Sequence, residues 1–222
     1  MSLPTAVLWD MDGTLVDTEP YWIECEYGLV EAHSGVWGEH HAEALVGRDL
    51  LTSARYLRLH GGVDLPPETI VELMLDGVVD RVRRHIPWRP GALELLTELA
   101  ELAVPCALVT MSYRRLAQTV IDALPAGRFA ALVAGDDVIH GKPHPQPYLL
   151  AAERLGVRPG DCVAIEDSPT GLASAVAAGV PALGVEHLVP LDPCPGRQLT
   201  DTLVGVTAHD LGRLSGRLRP AG

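Results

Sequence analysis

The chain has 222 residues, 47% of them hydrophobic, and a formal net charge of −12. That is enough apolar material for a sizeable core and one domain plus an insert, and the acidic balance argues against a nucleic-acid footprint. No apolar run is long enough to span a bilayer, no basic-then-apolar leader opens the chain, and the four scattered cysteines form no CxxC pair; a reducing cytoplasm is therefore expected, and a membrane span or a zinc knuckle is not.

The first β-type run is Ala6 to Trp9, and it stops at Asp10-Met11-Asp12-Gly13-Thr14. From about Glu19 to Ile86 no strand pattern appears. Helical patterns cover Pro20 to His33, Glu39 to Val46, Leu50 to His60 and Pro67 to Arg84, punctuated by Gly35, Gly38, Gly61-Gly62 and Pro66-Pro67. Residues 19–86 thus read as a helical domain inserted after the first strand, where a lid would be placed, with 1–18 and 87–222 forming the core. Past Pro87 and Pro90-Gly91, apolar runs at Pro105–Val109, Ala130–Ala134, Cys162–Ile165 and Pro181–Val185 alternate with helical stripes. The stripes are Leu93 to Leu102, Leu116 to Leu124, Tyr148 to Leu155 and Leu172 to Ala178. Cys106 and Cys162 fall in the apolar runs and read as small buried thiols. The stretch from Val189 to Leu199, with three prolines, reads as a surface loop. Short buried strands alternating with helices predict a parallel α/β sheet with helices on both faces.

Ligands of such sheets bind outside the carboxyl ends of the strands. The first run ends in Asp10 and Asp12, two carboxylates that share a face if the chain stays extended. Like charges that close resist double ionisation unless a proton or metal intervenes. The same run also reads as an ordinary turn, since Asp and Gly are turn residues. The second ends in Thr110-Met111-Ser112. Gly141-Lys142-Pro143 follows the third, and the fourth ends in Glu166-Asp167-Ser168-Pro169. Lys142 is the only lysine in a chain otherwise supplied with arginine, which suggests a position where a compact point charge is needed rather than a planar fork. Ser168 and Pro169 also suit a helix start.

These four motifs, in this order, resemble the haloacid dehalogenase superfamily of phosphotransferases, in the subgroup with a helical cap inserted after the first motif. The resemblance covers nearly the whole chain. It implies a Rossmann-like core and an all-α cap. Asp10 resembles the nucleophile that forms an aspartyl-phosphate, and Asp12 the general acid/base, whose backbone carbonyl also ligates metal. Thr110 resembles the hydroxyl that holds a phosphoryl oxygen, with Ser112 nearby, and Lys142 the lysine that neutralises developing charge. Asp167 resembles a direct Mg²⁺ ligand, and Glu166 a direct or water-mediated one. Arg48, in a run similar to the cap loop that faces the active site, is a candidate clamp for a substrate phosphate or carboxylate; an ion pair with Asp49 is the alternative.

Within the superfamily, Asp12 argues against the dehalogenase branch, and a cap without lysine excludes a Schiff-base phosphonatase. Sugar phosphomutases of the β-phosphoglucomutase type are the main rival. They often carry a cap histidine where Trp22 stands, a cap lysine absent here, and a β-branched apolar residue where Thr14 stands. The expected activity is Mg²⁺-dependent hydrolysis of a small phosphate monoester. The phosphomutase is the alternative, and a non-catalytic phosphate-binding module the remote one.

Overall fold

Short apolar runs without alternation form stable strands only when both faces of their sheet are covered. The computed structural model describes residues 3–46 and 49–217. In chain order its elements are β1 (Ala6–Trp9), α1 (Glu19–Ala32), α2 (Glu39–Glu43), α3 (Leu50–His60), α4 (Pro67–Arg84), α5 (Ala92–Glu101), β2 (Cys106–Val109), α6 (Arg114–Asp122), β3 (Ala131–Val133), α7 (Gln146–Leu155), β4 (Cys162–Glu166), α8 (Pro169–Ala177), β5 (Ala182–Val185), β6 (Arg197–Thr200) and α9 (Ala208–Arg217). They divide into two compact units, one of Met1–Asp17 with Pro87–Gly222 and one of Thr18–Ile86.

The first unit is built on one sheet of six strands in the order β3-β2-β1-β4-β5-β6. Every neighbouring pair is parallel, so all carboxyl ends lie along one edge. β1 sits between β2 and β4, with Val7 opposite both Cys106 and Val163. Side chains alternate along each strand. Ala6 and Leu8, Ala107 and Val109, and Cys162 and Ala164 point to one face, where they pack with Tyr148 and Ala151 of α7 and Leu172 and Ala175 of α8. Leu183 takes the opposite parity and lines a cavity with Leu211 and Leu214 of α9. Cys106 and Cys162 are buried free thiols, and burial pushes both up to about 12.

Two local expectations change, and the helix start read at Ser168-Pro169 holds. The supposed loop from Val189 to Leu199 runs into a strand, β6, which pairs with β5 from Ala182 opposite Arg197 to Val185 opposite Thr200. Its residues Arg-Gln-Leu-Thr are half-buried or exposed, so this edge strand has no apolar run to announce it. α2 stops at Glu43, and residues 44–46 form a turn that still buries Leu45. α8 begins at Pro169, with Ser168 as its cap accepting the Gly171 N–H. α9 has no counterpart among the predicted helices.

In the second unit α4 packs against both α1 and α3. Pro67 opens α4, where a missing N–H costs nothing. Ile70, Val71, Met74, Val78 and Val82 supply its buried stripe. The Trp37 ring stacks on His41 at 4.6 Å and meets Tyr56 edge-on at 6.0 Å, so these rings serve packing. Glu26 is buried here, and burial pushes its carboxyl up to about 8. The Trp37 indole draws it partly back, although neither Glu26 Oε2 nor Trp37 Nε1 makes a hydrogen bond. Among the described residues no helix is long and apolar enough to cross a membrane.

Candidate active site

The sheet ladder carries the functional residues to one place. The Asp10 N–H donates to the Ile165 carbonyl and the Thr110 N–H to the Val133 carbonyl, each at 2.9 Å. The strand geometry therefore continues one residue past β1 and β2. Asp10 has the parity of Ala6 and Leu8, and Glu166 that of Cys162 and Ala164. Both carboxylates thus turn to the face covered by α7 and α8, and both are buried.

Lys142 enters between them from the segment joining β3 to α7. Its Nζ lies 2.5 Å from Asp10 Oδ1 and 2.6 Å from Glu166 Oε1, and 2.9 Å from the Val109 carbonyl. An ammonium has three donors, and here each has an acceptor. With its side chain only 5% exposed, the site has no room for the wider arginine fork, a physical reason for the chain's one lysine to stand here. Burial works against the Lys142 charge, but Asp10 and Glu166 outweigh it and hold the ammonium above the usual lysine range.

The acids exceed the cations. Burial pushes Asp10 well up; Lys142 pulls it back, while Glu166 and Asp167 push it further. Asp167 is pushed up to about 7, first by burial and then by Glu166, with Lys142 opposing. Oxygens of Asp10, Glu166 and Asp167 lie within 4.8 Å of one another. Asp10 Oδ2 is buried without a hydrogen-bond partner. Three acids against one ammonium, with one Asp10 oxygen left without a hydrogen-bond partner, fit a divalent cation such as Mg²⁺.

Gly13 makes this approach possible. Its φ is +86°, and a Cβ there would sit 2.1 Å from Asp167 Oδ2, so the turn after Asp12 needs both the left-handed backbone and the empty side. The Thr14 hydroxyl faces Asp167 Oδ1 at 3.5 Å, the limit of a hydrogen bond.

Asp12 stands outside the acid cluster. Its Oδ2 accepts from the Ser112 hydroxyl at 2.7 Å and the Thr110 hydroxyl at 3.1 Å. Thr110 Oγ1 in turn accepts the Ser112 N–H at 2.9 Å. The structure therefore brings Asp10, Glu166, Asp167 and Lys142 into one group, and Asp12, Thr110 and Ser112 into a second. Arg48 lies outside the described residues. Sequence reasoning missed Tyr148, whose hydroxyl donates to Glu166 Oε1 at 2.6 Å. Its one available signal was a phenol within an apolar helical stripe.

A family model described as haloacid dehalogenase-like hydrolase matches residues 4–179. The chain belongs to that family. Hexitol phosphatase A of Escherichia coli is 30% identical to it over 97% of this chain and 95% of its own length. A phosphorylated carbohydrates phosphatase of Thermotoga maritima is 32% identical over 82% of this chain and 85% of its own. Among solved structures, CbbY from Rhodobacter sphaeroides in complex with phosphate superposes with a TM-score of 0.82 at 26% identity, covering 94% of this chain and 99% of that one. The phosphatase names of its relatives make this haloacid dehalogenase-like protein a phosphoric monoester hydrolase by kinship.

Proposed function

We propose that this hydrolase is a Mg²⁺-dependent phosphatase that cleaves a phosphorylated sugar or polyol through an aspartyl-phosphate at Asp10. The observation that carries the reading is the Lys142 ammonium seated between Asp10 and Glu166, beside an Asp10 oxygen with no other partner. A carboxylate oxygen of Asp10 attacks phosphorus, and the phosphorus–oxygen bond to the alcohol breaks. Asp12 protonates the leaving oxygen. It then takes a proton from the water that attacks the phosphoryl group and regenerates Asp10. Lys142 balances the charge that spreads over the phosphoryl oxygens. The Thr110 hydroxyl has one proton to give; it rests on Asp12 and turns to a phosphoryl oxygen when substrate binds, leaving Ser112 on Asp12. Mg²⁺ would be held by Asp10, Asp167 and the Asp12 carbonyl, with Glu166 direct or through water, and when bound it offsets the acid cluster and draws charge from the phosphoryl oxygens.

The substrate class rests on kinship with enzymes that act on hexitol phosphates and phosphorylated carbohydrates. Selection of the leaving alcohol is assigned to the helical insert acting as a cap, with Arg48 as its proposed anion clamp. The test is phosphate release across a panel of hexitol, hexose and two-carbon phosphates with Mg²⁺, run beside conversion of glucose 1-phosphate to glucose 6-phosphate. Free phosphate from at least one polyol or sugar phosphate supports the phosphatase. Rapid interconversion with little free phosphate replaces it with the phosphomutase, and no reaction with any ester points to a binding module.

A further inference from the structure

We infer that Tyr148 is a positioning residue whose hydroxyl assigns Glu166 to Lys142 and keeps it out of the metal's direct coordination. This rests on the phosphatase reading and its metal site. Glu166 is 0% exposed. Its Oε1 accepts from both the Tyr148 hydroxyl and Lys142 Nζ, each at 2.6 Å, and its Oε2 accepts the Ser168 hydroxyl at 3.1 Å. Strand pairing opposite Gly184 fixes its backbone. α8 closes on the carboxylate so tightly that a Cβ at Gly171 would lie 1.9 Å from Oε1. Both oxygens are therefore held by donors, and the carboxylate has no space to swing.

The Tyr148 ring belongs to the apolar layer under α7, and phenylalanine fills that volume equally well. The hydroxyl is what packing alone does not require. A buried phenol must find an acceptor, and the one it has is the acid that pairs with Lys142. The Lys142 ammonium also sits 5.3 Å from the Tyr148 ring centre, so ring and hydroxyl bound the same ion pair from one side. In contrast, Asp10 Oδ2 has no donor, and the described contact of Asp167 Oδ1 is one weak hydroxyl at 3.5 Å. Asp10 Oδ2 is thus wholly open to a cation, whereas both oxygens of Glu166 already accept hydrogen bonds, Oε1 two of them.

The test compares Tyr148→Phe, Glu166→Gln and Asp167→Asn with the unaltered protein. Mg²⁺ alone is titrated by calorimetry, and kcat and KM are measured with p-nitrophenyl phosphate. Removing an outer-shell partner commonly costs about 10–100-fold. Tyr148→Phe is expected to lower kcat about tenfold with KM nearly unchanged, while Mg²⁺ binds as tightly or more tightly because Glu166 is released. Asp167→Asn should weaken Mg²⁺ binding at least tenfold, and Glu166→Gln should weaken it by less than about threefold while still reducing kcat. The inference is overturned if Tyr148→Phe matches wild type in kcat, or if Glu166→Gln loses as much Mg²⁺ affinity as Asp167→Asn. Absence of both Mg²⁺ binding and phosphate release in the unaltered protein would instead refute the phosphatase reading beneath it, a result the three variants do not imitate.

Discussion

Lys142→Met deletes the ammonium and keeps most of the stem. Three contacts vanish together, to Asp10, Glu166 and the Val109 carbonyl. Two buried carboxylates then face each other without a cation. Removing one partner of a buried pair costs about 3–5 kcal/mol. Burial already pushes Asp10 up, so without Lys142 its carboxyl goes higher still. A carboxyl raised in the folded state contributes stability that is full at acid pH and lost as pH rises, so the penalty should be larger at pH 7 than at pH 5. Catalysis loses a charge aimed at the phosphoryl group, worth about 10²–10³ in kcat. Urea denaturation at both pH values, in metal-free buffer, reads the stability arm, and phosphate release with saturating Mg²⁺ reads the catalytic arm. Lys142→Arg should recover little of either, because its fork does not fit a side-chain site 5% exposed. A Lys142→Met protein within tenfold of wild-type kcat and equally stable at pH 7 would refute the reasoning.

Gly13→Ala should cost about 1–3 kcal/mol through its positive φ alone, and the new Cβ must displace Asp167. Weakened Mg²⁺ binding in calorimetry, alongside the lowered melting temperature, is the expected signature. Burial pushes the Glu26 carboxyl from a usual 4.5 up to about 8 in the folded state, so its contribution is full below pH 4.5 and lost as pH rises through 8. Glu26→Gln should flatten the fall in stability between pH 5 and pH 8, read by denaturant titration, and an unchanged pH slope would contradict it.

How far the fold and site could be read from residues alone depended on burial. β1, β2 and β4 are buried on both faces, so each appears as an uninterrupted apolar run. β6 is an edge strand held by backbone pairing with β5, and Arg197 to Thr200 carry no such mark. The strand-end motifs were legible because a parallel sheet must bring its carboxyl ends together. Alternation then gave Asp10 and Glu166 a common face, which the motif spacing did not reveal. Thr110 and Ser112 were expected near phosphate, and their bonds to Asp12 join residues about a hundred positions apart, which only the folded chain shows. Tyr148 was hidden because a tyrosine in an apolar helical stripe has the pattern of ordinary core. Only the placement of α7 over the sheet shows that its hydroxyl ends on an acid.

The central claim is covalent phosphate on Asp10. The most direct measurement is acid quench of a single turnover with the best ester from the panel, followed by peptide mass spectrometry. A phosphoryl group on the peptide bearing Asp10, formed with Mg²⁺ and absent from Asp10→Asn, is the predicted result. Rapid phosphate release with no trapped adduct and an active Asp10→Asn protein would contradict the account.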